Sequence, residues 1–125
     1  MKAGTDTYFA DTYALIEFIE GNKNYEPYAH AQIVTTIMNL AEVYYIFCRD
    51  FGKEQAEHYY NLLRRYVIRI PHSAVQIGMQ YKLQHKKAHL SYIDCIGYAI
   101  AGQENIPFLT GDKQFEGKPG VAFVK

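Results

Sequence analysis

Four acidic residues sit where a carboxylate is hard to explain as ordinary surface charge: Asp11, Glu42, Asp94 and Asp112. Asp11 follows directly on the apolar run Tyr8-Phe-Ala10, and Glu42 lies in the middle of the almost wholly apolar stretch from Met38 to Ile46. Asp94 is bracketed by Tyr92-Ile93 and Cys95-Ile96, and Asp112 closes Leu109-Thr-Gly-Asp112. Asp11 has a plain alternative as a helix N-cap, and Asp112 as a turn residue. Glu42 and Asp94 have weaker ones, because a charge on the inner part of an apolar helix is rarely left unpaired. Glu17, Glu20, Asp50, Glu54 and Glu57 fall on polar faces or near helix ends, where solvated charge is the default.

Pairing all four with Lys or Arg would draw on few bases: Arg49, Lys113 and the pair Lys86-Lys87. Four carboxylates brought together repel, and their pKa values rise unless a counter-charge arrives. One shared Mg2+ or Mn2+ relieves that conflict, since both are hard cations that prefer oxygen ligands and keep waters. An ion held by Asp11 and Asp94 could polarise a phosphodiester and acidify a bound water. Asp112 could complete the site or orient the water. Glu42 could hold water in an outer shell or act as general base. Thr12 and Thr110 adjoin these acids and could hydrogen-bond a carboxylate or a phosphate, or serve only as turn and cap hydroxyls. Lys82, Lys86 and Lys87, with His85 and His89, form the one basic cluster; they could hold substrate phosphates or simply end a solvated helix.

The elements that must position these residues alternate between strand and helix. Thr7 to Ala10 reads as a strand and Tyr13 to Glu20 as a helix stopped by Gly21-Asn22. Gln32 to Thr35 is a short β-prone run, and Thr36 can cap the strong helix Ile37 to Asp50. Lys53 to Arg65 reads as a helix, Val67 to Ile70 as a buried strand ending at Pro71, and His72 to about His85 as a helix. Leu90 to Gln103 is helical, Pro107 to Leu109 a strand, Thr110 to Asp112 a turn, and Val121 to Val124 a final strand. This order predicts an α/β fold with a mostly parallel sheet. Ligands of such sheets collect at the carboxyl ends of the strands, where Asp11 and Asp112 fall.

Bulk composition narrows the function. At 125 residues and 49% hydrophobic, the chain can bury one core, and it reads as a single domain over 1–125. Its 13 basic and 13 acidic residues cancel, which argues against coating nucleic acid by bulk charge. Cys48 and Cys95 lie in apolar helical runs and read as core residues without a disulfide or zinc pattern. Met1 to Thr5 is polar with no signal-peptide core, and no apolar run could span a bilayer, so a cytoplasmic protein is expected. A haloacid-dehalogenase-type reading fails because Asp11 lacks a second acid two residues on. A receiver-type reading fails because Asp6 and Asp11 stand too far apart to form an acidic pair.

In order and spacing the acids resemble those of PIN domains, and in length and layout the VapC-type toxins of toxin–antitoxin pairs. The matching pieces are Phe9-Ala-Asp11-Thr-Tyr-Ala-Leu15, Asn39-Leu-Ala-Glu42-Val43, Asp94-Cys-Ile-Gly-Tyr-Ala-Ile-Ala101 and Leu109-Thr-Gly-Asp112-Lys-Gln-Phe115. The resemblance implies a three-layer α/β/α fold and a metal-dependent endoribonuclease. It places Asp11, Asp94 and Asp112 on the metal-binding acids and Glu42 on the remaining one. It also implies a homodimer and a small cognate antitoxin; the tyrosine doublets Tyr44-Tyr45 and Tyr59-Tyr60 could supply such contacts. Two departures stand out. Gln114 occupies a position where many relatives carry a further acid, and Gly97 replaces a more usual alanine. The alternative is a PIN-like module that binds RNA or protein without catalysis, against which retention of all four acids speaks.

Overall fold

Successive side chains of a strand point to opposite faces, and that alternation divides this molecule into two cores. The computed structural model describes residues 6–125; Met1 to Thr5, read above as a polar start, lie outside the described residues. Four strands, β1 (Thr7–Ala10), β2 (Gln32–Val34), β3 (Phe108–Thr110) and β4 (Val121–Phe123), form one sheet in the order β2-β1-β3-β4. Every neighbouring pair is parallel, with Phe9 opposite Phe108 and Ala10 opposite Leu109 at the centre. Ala10 and Leu109 join a core with Leu15, Leu40, Val43 and Phe47. Phe9 and Phe108, whose rings stack with centroids 5.7 Å apart, join the other core with Ile96, Ile100 and Phe115.

Helices α1 (Thr12–Glu20), α2 (Ile37–Phe51) and α3 (Lys53–Leu63) supply the first core, and α4 (His72–Gln84) and α5 (Tyr92–Glu104) the second. The expected three-layer α/β/α architecture is therefore present. Each functional helix begins at a side-chain cap. Asp11 caps α1, Thr36 caps α2, and Ser91 with Asp94 forms a capping box on α5. Gly21 ends α1 in the left-handed region, at φ 75°. Among the described residues no helix is long and apolar enough to cross a membrane.

One expected strand is absent. Val67 to Ile70 contributes a single parallel bridge, Val67 to Thr35, flanked by the bonds Thr35 N–H to Tyr66 O and Ile68 N–H to Thr35 O. The physical reason lies in the partner: immediately after Thr35 the chain turns at Thr36 to cap α2, so no ladder remains to extend. The apolar run still buries itself, with Ile68 and Ile70 packed against the second core.

Candidate active site

The two central strands end side by side, and each is followed within two residues by an aspartate. Asp11 is the first residue past β1 and only 4% exposed. Its Oδ1 accepts the Ala14 N–H at 2.9 Å, and its Oδ2 accepts the Thr110 hydroxyl at 2.5 Å. Thr110, the last residue of β3, accepts in turn from the Asp112 N–H at 3.0 Å. A chain of bonds thus runs from the Asp112 backbone through Thr110 to the Asp11 carboxylate. Asp112 also caps the 3-10 turn Lys113–Phe115, its Oδ1 accepting from the Gln114 N–H at 3.0 Å.

Between Thr110 and Asp112 only glycine fits. A Cβ at Gly111 would stand 2.3 Å from Tyr13 Cε1 and 2.4 Å from the Val124 carbonyl oxygen. We predict that Gly111→Ala destabilises the fold by about 3 kcal/mol, the upper range for overpacking. Urea denaturation checks this; an unchanged midpoint would show that the turn has slack.

Asp94 reaches the same region from α5. The Ser91 hydroxyl accepts the Asp94 N–H at 3.0 Å, and Asp94 Oδ2 accepts the Ser91 N–H at 3.1 Å. This box fixes the side chain at the start of the helix and leaves Oδ1 outside those bonds. Close packing sets the helix against the sheet: a Cβ at Gly97 would stand 2.8 Å from Phe9 Cε1. The glycine that departs from the usual alanine therefore makes room for the Phe9 ring.

Glu42 is half-buried on α2 and is reached through hydroxyls and an amide. Thr36 Oγ1 donates to Asn39 Oδ1 at 2.6 Å, Asn39 Nδ2 donates to Thr12 Oγ1 at 3.1 Å, and Thr12 Oγ1 donates to Glu42 Oε1 at 2.5 Å. Because Asn39 donates to Thr12, the Thr12 hydrogen is left to point at Glu42. Because Thr36 donates to the Asn39 carbonyl, the amide is oriented with its NH2 toward Thr12. Sequence reading gave neither Thr36 nor Asn39 a place beside Glu42. The available signal was a polar Asn39 one turn before Glu42 in an otherwise apolar stripe, and the structure buries it.

The electrostatics follow from this packing. Burial pushes the Asp11 carboxyl up to about 7. The Thr110 and Ala14 bonds oppose that rise, and the charges of Asp94 and Asp112 add to it. Asp94 is also raised, first by burial, against the pull of its Ser91 bonds; Asp112 adds to the rise and Lys82 opposes it. The three aspartates therefore feel one another, and Glu42 adjoins them through Thr12, the neighbour of Asp11. Among the described residues the only ion pair is Arg49 with Asp50, so none of the four acids is ion-paired, and only Asp94 feels a nearby cation, Lys82.

Chemically the donor set suits a hard divalent cation: it is all carboxylate oxygen, and Asp94, Asp112 and Glu42 each keep one oxygen outside the bonds above. Among the described residues, no three acidic, His or Cys side chains are already gathered into a coordination shell. The charges of Asp94 and Asp112 reach Asp11, and Glu42 is tied in by the Thr12 hydroxyl.

Of the basic cluster, Lys82 comes nearest. Its Nζ donates to the Leu90 carbonyl at 2.5 Å, and its charge lowers the pKa of Asp94. Lys86 and Lys87 stand exposed on the following 3-10 turn, with no side-chain hydrogen bond or ion pair among the described residues.

Known structures share this arrangement of elements. VapC20 of Mycobacterium tuberculosis, a sarcin–ricin loop cleaving toxin, superposes with a TM-score of 0.79 at 14% identity, covering 94% of this chain and 99% of that one. VapBC2 from Rickettsia felis, bound to a DNA fragment from its promoter, gives 0.72 at 19% identity, covering 95% and 99%. A toxin–antitoxin complex from Klebsiella pneumoniae gives 0.71 at 20% identity, covering 92% and 95%. At these identities the likeness is one of fold. No curated protein matches in sequence. The PIN-domain family model, by contrast, matches residues 8–120, a span that runs from the first strand through the last acid. With that sequence profile laid over an all-parallel sheet whose two central strands lead into Asp11 and Asp112, the chain belongs to the PIN-domain family.

Proposed function

We propose that this chain, acting as a single domain over residues 1–125, is a Mg2+- or Mn2+-dependent endoribonuclease and the toxin of a toxin–antitoxin pair. The observation that supports the reading is the mutual repulsion of Asp11, Asp94 and Asp112, none of them ion-paired and only Asp94 partly offset by Lys82. A buried carboxylate such as Asp11, with two further acids beside it, is kept at a stability cost. A divalent ion at the site offsets that cost. Of the three structures named above, one is a sarcin–ricin loop cleaving toxin and two are toxin–antitoxin assemblies. They support RNA as the substrate and a cognate antitoxin as a partner. A net charge of zero leaves little self-repulsion to oppose a homodimer.

In this reading Asp11, Asp94 and Asp112 would hold the ion. When bound, it supplies Lewis acidity at the phosphodiester and makes a water more acidic. Thr110 holds Asp11 against rotation, and the Ser91 box does the same for Asp94. Thr12, oriented by Asn39, anchors Glu42 through Oε1 and leaves Oε2 to accept a proton from the attacking water. Lys82 places a positive charge beside the acids for an RNA phosphate, and Lys86 and Lys87 extend it outward.

The test is cleavage of an end-labelled RNA by the purified protein. Cleavage should require Mg2+ or Mn2+, stop in EDTA and return when the ion is restored in excess. Absence of cleavage with either ion, in a protein shown to bind RNA, would favour the non-catalytic module instead.

A further inference from the structure

The tyrosine doublets separate in the folded chain. Tyr44 packs edge-on against Tyr60 at 5.5 Å and donates its hydroxyl to Glu57, and Tyr59 packs on Phe47 at 5.3 Å. These three tie α2 to α3. Tyr45 is left 66% exposed, one turn after Glu42. Tyr92, two residues before Asp94, is 63% exposed. Each exposed ring carries a cation: the Arg49 guanidinium lies 5.9 Å from the Tyr45 centroid and the Lys82 ammonium 5.3 Å from that of Tyr92. Arg49 does so while ion-paired to Asp50.

Between α2 and α5 runs an open groove of about 520 Å³, lined by Met38, Ala41, Glu42, Tyr45, Ile46 and Ile93. Its walls are apolar except for Glu42, so the groove and the acid site share a carboxylate. Ile93, on its far wall, lies between Tyr92 and Asp94. An apolar slot with an exposed aromatic face, beginning at the reacting centre, suits a flat heteroaromatic ring joined to a phosphate. Unpaired nucleobases meet that description, because they stack on aromatic side chains whatever their identity, and cations beside the rings suit the backbone. A base held in a duplex presents no free face to stack.

Resting on the ribonuclease reading, we propose that this groove is a subsite for an unpaired nucleobase next to the cleaved phosphate, with Tyr45 the main stacking surface and Tyr92 a second.

Binding is measured by fluorescence anisotropy in EDTA, with a short unstructured RNA and a blunt duplex of the same sequence, so that no cleavage is needed. Tyr45→Ala should weaken binding of the unstructured RNA by roughly tenfold, the loss of one stacked base, and leave duplex binding unchanged. Tyr45→Phe should restore the affinity, and Tyr92→Ala should show a smaller loss. Thermal melting confirms that each variant is folded; should Tyr45→Ala not be, Tyr45→Ser and Tyr92→Ala carry the test. Equal affinity of parent and folded variants for the unstructured RNA would overturn the proposal. So would a drop in molecular mass of Tyr45→Ala by light scattering, which would show the groove covered by a second copy of the chain. Either result leaves metal-dependent cleavage by the parent protein standing, and loss of that cleavage leaves the binding result standing.

Discussion

Asp94→Asn is expected to lower Mg2+- or Mn2+-supported RNA cleavage by at least about two orders of magnitude, because even partners that only orient a metal ligand are worth 10–100-fold. The substitution is clean. Asparagine can accept the Ser91 N–H that Asp94 Oδ2 now accepts, and its own N–H still bonds the Ser91 hydroxyl, so the α5 capping box survives. What is lost is one negative charge and the oxygen outside those bonds. The direction of the change separates two readings. Were Asp94 only a helix cap, removing a negative charge beside an anionic RNA would strengthen binding and leave or raise the rate. Were it an ion-holding group, the rate collapses although the local charge has become friendlier to RNA. Glu54→Gln, on the exposed face of α3, removes the same charge far from the strand ends and should cleave like the parent. Expression should arrest growth for the parent and for Glu54→Gln, but not for Asp94→Asn. Full cleavage by a folded Asp94→Asn protein would remove the basis for the assignment.

Much of this architecture can be read from residue order because the signals are local. Alternation along Phe9-Ala10 and Phe108-Leu109 assigns side chains to two faces, and the caps Asp11 and Thr36 mark where strands give way to helices. Ser91 and Asp94 spell out a capping box at the sequence level. What escaped was non-local. Val67 to Ile70 has strand composition, but whether it pairs depends on how soon its partner at Thr35 leaves the sheet, which no window around Val67 reveals. The route from Thr36 through Asn39 and Thr12 to Glu42 joins residues 30 apart, so only the α1–α2 packing exposes it. The tyrosine doublets look equivalent in sequence. Helical rotation alone turns Tyr44 toward α3 and Tyr45 toward solvent.

The second large effect concerns stability without metal, and its sign follows from Asp11. Burial raises the folded-state pKa of this carboxyl from 3.8 to about 7, so the folded protein holds a proton there that the unfolded chain has released. The group's contribution to stability is therefore intact below about pH 3.8 and is lost as pH rises through 7. A gap of about three pKa units corresponds to roughly 4 kcal/mol at full ionisation. Asp11→Asn removes the titration while keeping the helix cap, since the amide oxygen can still accept the Ala14 N–H and the amide nitrogen can donate to Thr110. In EDTA at pH 8 the variant should accordingly melt higher than the parent, by up to on the order of 10 °C for a chain of this size, and the gap should close toward pH 4. Mn2+ should raise the parent's melting temperature at pH 8 and do little for the variant, because binding to the folded state alone stabilises in proportion to its affinity. A variant that melts lower than the parent at pH 8 in EDTA would mean that the Thr110 and Ala14 bonds outweigh the burial of charge. The ionised carboxylate would then be a structural asset of the turn, and the strand ends would have no unmet charge for an ion to satisfy.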